Sequence, residues 1–103
     1  MPTLHTVNKS PFERNSLQSC LSFCKPDSSI LLIEDAVVGA MRNTSVSNHI
    51  ISALESGVRV YVLGEDLRAR GLAADRVIDQ IEIIDYPGFV TLAVDNARVQ
   101  SWL

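Results

Sequence analysis

Apolar residues gather in short runs that polar, turn-forming segments separate. The runs 3–7 (TLHTV), 30–34 (ILLIE), 58–63 (VRVYVL) and 81–85 (IEIID) are rich in β-branched and apolar types, which predicts four strands. The run at 30–34 is almost continuously apolar, as expected of a strand that helices cover on both faces of a parallel sheet. The pattern therefore predicts a buried central strand.

The segment after the first strand has the pattern of an amphipathic helix. Ser10 precedes Pro11 and is a suitable N-cap, and Glu13 stands where it would close a capping box. Pro26 is expected to end this helix. Four positions then share one face of the helix: Leu17, Cys20, Leu21 and Cys24.

Further helical segments follow each of the later strands. Residues 36–41 predict a short helix or turn, and 47–56 a helix that ends at Gly57. One or two helical turns are expected over 65–70, and a last helix over 86–97. This alternation predicts an α/β fold, flavodoxin-like or Rossmann-like, with a mostly parallel open sheet flanked by helices.

Composition limits the classes of protein that fit. With 103 residues, of which 47% are hydrophobic and 20% charged, we expect a single domain over 1–103. The net charge of −3 and the scattered arginines argue against direct nucleic acid binding. No run approaches the roughly 18 apolar residues that span a bilayer, and no signal-peptide core is present, so we expect no membrane association and a cytoplasmic location.

Cys20 is the first candidate for chemistry, because a thiolate can attack a persulfide and pass the sulfur on. Its helical neighbours are apolar, however, and a cysteine on such a face is more often a small buried hydrophobe. Cys24 shares the face and stands nearer the helix C-terminus, where the dipole disfavours a thiolate. Cys24 is therefore interpreted as a core residue.

The remaining polar candidates are weaker. His5 in the first strand could carry a proton, but a structural hydrogen bond is the commoner role, and His49 is expected to be solvated. Asp35, at the carboxyl end of a strand, could bind a ligand or cap a helix, and capping is preferred. The two histidines and two cysteines lack the paired spacing of a zinc site, so we expect no metal.

The usual nucleotide-binding and hydrolase motifs, GxGxxG, GxxxxGK[ST] and GxSxG, do not occur. We therefore expect a chain that is not catalytic alone. Four segments instead resemble the TusB and DsrH family: 4–12 (LHTVNKSPF), 31–37 (LLIEDAV), 60–72 (VYVLGEDLRARGL) and 84–92 (IDYPGFVTL). They span nearly the whole chain in the family's order, and Trp102 near the end of the chain also fits the family's sequence pattern.

The resemblance implies a DsrE-like fold and a place as the B or H subunit of a heterohexamer with two copies of each of three related subunits. The partners would be TusC-like and TusD-like subunits, or DsrE-like and DsrF-like ones, with a small TusE-like or DsrC-like sulfur carrier. Such complexes relay persulfide sulfur, with no cofactor. Their principal acceptor cysteine is on another subunit.

The resemblance leaves two branches and two roles open. One branch makes 2-thiouridine at the tRNA wobble position, and the other serves dissimilatory sulfur oxidation; a cysteine at position 20 is similar to DsrH members, which slightly favours the second. The preferred role is an interaction subunit that organises the hexamer. The alternative is a sulfurtransferase subunit whose own Cys20 accepts sulfur.

Overall fold

The computed structural model describes residues 2–103, over which five parallel strands form one sheet in the order β4-β3-β2-β1-β5. The strands are β1 (Thr3–Val7), β2 (Ser29–Leu32), β3 (Arg59–Leu63), β4 (Glu82–Ile84) and β5 (Arg98–Trp102). The α-helices are α1 (Ser16–Phe23), α2 (Ser47–Glu55), α3 (Gly64–Ala69) and α4 (Tyr86–Asp95). Two 3-10 helices, Glu34–Ala40 and Ala74–Arg76, complete the connections.

The strand order decides which face each helix covers. From β1 to β4 the chain steps in one direction across the sheet, so right-handed crossovers place α1, α2 and α3 on the same face. The step from β4 back to β5 runs the opposite way and places α4 on the other face. The predicted α/β fold is thus confirmed, and its sheet is entirely parallel.

Both faces of the sheet bury apolar side chains. The core under α1 and α2 includes Val7, Leu17, Cys20, Ile30, Leu32, Ile50, Val60 and Val62. Leu4 and Leu31 alternate with these strand residues, so they point to the opposite face, where they are fully buried. This two-sided burial explains why the β2 sequence is continuously apolar.

Several element boundaries differ from the sequence prediction. Helix α1 begins at Ser16, because residues 11–13 form a turn in which the amides of Glu13 and Arg14 donate to the Ser10 carbonyl. The Ser10 hydroxyl accepts from the Phe12 amide within this turn and does not cap α1. Helix α4 ends at Asp95.

The second strand ends at Leu32, two residues before the predicted limit. Glu34 has a φ of 50°, a left-handed conformation that cannot continue a strand. Its amide donates to Oδ2 of Asp66 at 2.6 Å, and this hydrogen bond holds the backbone in the left-handed conformation that ends the strand. The 3-10 helix begins at this point.

The last strand, β5, was not predicted at all. It pairs in parallel with β1 along its length, with His5 opposite Gln100 and Val7 opposite Trp102. His5 and Trp102 therefore project from the same face of the sheet.

No helix within residues 2–103 is long and apolar enough to cross a membrane.

Candidate functional site

Two thiols and an imidazole meet under the end of α1. Helix α1 returns from the carboxyl edge of the sheet towards its amino edge, so its last residues lie over the first half of β1. Cys20 lies in the helix and Cys24 is its C-cap residue. Their Sγ atoms and one ring nitrogen of His5 all lie within 4.8 Å of one another.

The two thiols share a hydrogen bond but differ in exposure. Their sulfur atoms are 3.8 Å apart; Cys20 is 0% exposed, whereas Cys24 is partly exposed. The bond to Cys24 and burial raise the pKa of the Cys20 thiol well above its ordinary value. The same bond lowers the pKa of Cys24, although burial opposes it. The pKa of Cys24 is therefore the lower of the two, and Cys24 is the thiol of the pair that ionises first.

His5 is held by the last strand. Trp102 Nε1 donates to His5 Nδ1 at 3.0 Å, so the imidazole accepts at Nδ1 and carries its proton on Nε2. Burial lowers the pKa of His5 and favours this neutral form. The hydrogen-bonding role preferred from the sequence is the one that the geometry shows.

This cluster offers three potential metal ligands, and the separation of its sulfurs suits a tetrahedral ion. The histidine does not fit such a site. A ligating imidazole usually donates its second N–H to an acceptor, whereas the second nitrogen of His5 accepts from Trp102. The three residues are therefore better arranged for thiol chemistry than for holding a metal.

A cavity of about 250 Å³ lies beside the cluster at the amino edge of the sheet. His5 borders it, as do both residues that flank Cys24 in the chain, Phe23 and Lys25. Its charged lining comprises Lys25, Arg98 and Asp27, with two cations to one anion. The cavity can therefore receive a small group with negative charge.

The carboxyl edge of the sheet is organised by ion pairs and backbone contacts. Asp35 accepts from Nε and Nη2 of Arg70, the latter at 2.9 Å, and makes no helix-capping bond. The preferred capping role for Asp35 was therefore wrong. Asp66 provides the carboxylate at that helix start by binding the Glu34 amide.

Residues 9–99 match the family described as DsrH like protein. The chain is also 33% identical over 99 residues to Protein TusB of Erwinia tasmaniensis, across 96% of this chain and 99% of that protein. Protein TusB of an Escherichia coli strain is 32% identical, with the same coverage. The chain belongs to the DsrH-like family. The family resemblance seen in the sequence is thus confirmed.

Solved structures support the same fold for this DsrH-like chain. The Escherichia coli ychN protein superimposes with a TM-score of 0.85 at 18% identity, covering 99% of this chain and 100% of that one. Protein MTH1491 of Methanobacterium thermoautotrophicum superimposes with a TM-score of 0.74 at 13% identity. The match covers 96% of this chain and 97% of that one. At these identities the likeness establishes the fold alone.

The DsrH-like sequence indicated only part of this cluster. The spacing of Cys20 and Cys24 predicts that they share one face of the helix, and the contact between their sulfurs agrees with that prediction. The pairing of His5 with Trp102 was missed because β5 was missed, and no local pattern signals a bond between the two chain ends. His49 is exposed on α2, outside the cluster. Cys20 as a sulfur acceptor stays a prediction.

Proposed function

We propose that this chain is a non-principal, organising subunit of a cytoplasmic hetero-oligomeric complex that relays persulfide sulfur. Membership of the DsrH-like family and the TusB-named relatives support the sulfur relay. The partners would be TusC-like and TusD-like or DsrE-like and DsrF-like subunits, with a TusE-like or DsrC-like carrier. Two copies of each of three subunits form the proposed assembly.

The observation that carries the organising role is an uncovered apolar stripe on α4. Tyr86, Val90 and Val94 recur every four residues on its outer side and are 53%, 61% and 77% exposed. The helix contains no charged residue before Asp95. Val99, on the neighbouring edge strand, is also exposed. An exposed apolar stripe of this kind is typical of a protein contact.

The burial of Cys20 supports the same role. A persulfide on a partner must reach a thiolate within bonding distance, and Cys20 is fully buried with a raised pKa. In this conformation Cys20 keeps its proton and does not meet solvent. The principal acceptor would then be a cysteine of another subunit.

Two pathways use the relay of persulfide sulfur: tRNA thiolation and dissimilatory sulfur oxidation. Cys20 favours the sulfur-oxidising branch, while the TusB-named relatives at 32–33% identity favour 2-thiouridine synthesis at the tRNA wobble position. Deleting the gene and measuring 2-thiouridine in hydrolysed tRNA by mass spectrometry separates them. Loss of the nucleoside selects thiolation, and an unchanged level with impaired sulfur oxidation selects the other branch.

Co-expression tests the assembly itself. A tagged copy of this chain is expressed with the related subunits of the same genome, and the mass of the eluted complex is measured by light scattering. We expect the three subunits to elute together with the mass of a heterohexamer. A well-behaved monomer that leaves its partners behind would contradict the proposal.

A further inference from the structure

The two sulfurs under α1 are suited to different tasks. Cys20 is enclosed by the core, whereas Cys24 ends the helix and is partly exposed. After Cys24 the backbone leaves the helix in an extended conformation, with a ψ of 142°. Cys24 is therefore the thiol of this pair that an incoming molecule can approach.

The surroundings of Cys24 offset the unfavourable effect of a helix C-terminus on a thiolate. The dipole of α1 disfavours negative charge at that end. When Cys24 ionises, the thiol of Cys20, 3.8 Å away, can donate a compensating hydrogen bond from a site without competing water. Lys25 follows Cys24 in the chain, and Arg98 shares the adjoining cavity with it. Both cations favour an anion at this edge of the sheet.

We propose that Cys24 is the thiol through which this chain accepts sulfane sulfur from a persulfide, with the buried Cys20 as the positioning residue that donates a hydrogen bond to it. The inference deepens the proposed sulfur relay and rests on it. It gives the organising subunit an accessory sulfur site. The principal acceptor remains on a partner.

The transfer needs no oxidant or reductant. The Cys24 thiolate attacks the outer sulfur of a persulfide R–S–SH, and a new sulfur–sulfur bond forms as the bond within the donor breaks. The donor leaves as the thiolate R–S⁻ with the electron pair, and Cys24 becomes Cys24–S–SH. Cys20 keeps its proton throughout, so it orients the attacking sulfur and is not consumed.

The 250 Å³ cavity reaches the thiol pair through His5, whose ring lies within 4.8 Å of both sulfurs; Cys24 itself does not line the cavity. Phe23 and Lys25 line its wall on either side of the cysteine in sequence, and His5 borders both the cavity and the thiol pair. Arg98 and Lys25 would favour the thiolate that the donor leaves behind. The cavity suits the end of a cysteine side chain or a small thiol better than a bulky group.

Mapping the sulfur on the wild-type chain tests the acceptor. The full-length protein is incubated with glutathione persulfide, the persulfides are trapped by alkylation, and the peptide carrying the added sulfur atom is identified by tandem mass spectrometry. We expect the sulfur on Cys24, and its loss in Cys24→Ser but not in Cys20→Ser. Sulfur on Cys20, or on neither cysteine, would overturn the proposal.

A pair of substitutions tests the positioning role of Cys20. Cys20→Ala removes the donor, whereas Cys20→Ser keeps a hydroxyl that can donate. In Cys20→Ala the pH profile of Cys24 alkylation should move upward and the rate near neutral pH should fall several-fold, because the hydrogen bond that lowers the pKa of Cys24 is lost. Cys20→Ser should restore much of the rate. An unchanged profile in Cys20→Ala would contradict this role, provided circular dichroism shows a folded chain.

The two proposals can fail separately. Glutathione persulfide reaches Cys24 without any partner subunit, so a failed co-purification leaves the thiol test intact. A heterohexamer that forms while Cys24 takes up no sulfur overturns only the accessory site.

Discussion

The indole Nε1 of Trp102 donates a hydrogen bond to Nδ1 of His5 at 3.0 Å, although 97 positions separate the two residues. Phe23, at the end of α1, packs edge-on against the same indole with ring centres 5.9 Å apart. Trp102 therefore joins the last strand to the first strand and to α1. The thiol pair lies directly beneath this junction.

Removing the indole donor should weaken the fold. In Trp102→Phe the buried Nδ1 of His5 loses its partner, which costs about 1–3 kcal/mol of the free energy of unfolding. Urea denaturation followed by circular dichroism measures the loss without relying on tryptophan fluorescence. Leu103→Ala, at a side chain that is 81% exposed, is the matched control and should change little. Equal midpoints for Trp102→Phe and wild type would contradict this account.

His5 should make the fold sensitive to acid. Burial lowers its pKa in the folded state below the value of about 6.5 expected in the unfolded chain. The unfolded chain then binds the proton first, so stability is fully present above about pH 6.5 and falls as the pH drops below it. Lys25, Arg98 and Asp27 line the cavity that His5 borders, and the thiols of Cys20 and Cys24 lie within 4.8 Å of its ring.

The measurement is the urea midpoint as a function of pH. His5→Gln, which does not titrate, should flatten the loss below pH 6.5, whereas the exposed His49→Gln should keep it. Identical pH profiles for His5→Gln and wild type would show that another group controls the effect.

The two cysteines should react in a fixed order. Because its pKa is lowered and its side chain is partly exposed, Cys24 should be alkylated by iodoacetamide in the folded protein. Cys20 should react only when urea unfolds the chain, since it is fully buried. Peptide mapping at increasing urea concentrations measures both rates. Alkylation of Cys20 ahead of Cys24 without urea would contradict the geometry.

Two glycines with positive φ provide a matched test of backbone strain. Gly57 has a φ of 101°, and a Cβ there would lie 3.1 Å from the Pro26 carbonyl oxygen; Gly71 has a φ of 66° with nothing within 4 Å. Gly71→Ala should cost about 1 kcal/mol, and Gly57→Ala about 2 kcal/mol or more because it adds a backbone clash. Thermal and urea unfolding compare the two variants. Equal losses would show that the close approach to Pro26 is harmless.

The fold was largely predictable because most strands carry their own signal. The apolar runs at 30–34 and 58–63 reflect burial on both sheet faces, which any sequence must satisfy in a parallel sheet. β5 lacks this signal because it is an edge strand whose residues are mostly exposed. The sequence predicts a helix start where the structure has the turn at 11–13, because Ser10 and Pro11 suit either structure.

The site was less predictable, since it depends on contacts between distant segments. The spacing of Cys20 and Cys24 indicated a shared helical face, but not which thiol would be enclosed by the core. That depends on the tilt of α1 over β1, and His5 joins the pair only because β5 supplies Trp102. Cys24 was expected to be core, and it does pack against the core while staying partly exposed.

The exposed stripe on α4 gives the last prediction. Val94 is 77% exposed, so Val94→Asp should leave the fold intact while placing a charge in the proposed subunit contact. We expect the variant to lose most of its co-purification with the partner subunits. Asn48→Asp, which adds the same charge on exposed α2, is the control and should bind as wild type. If both variants assemble equally well, the partners contact another surface of the chain.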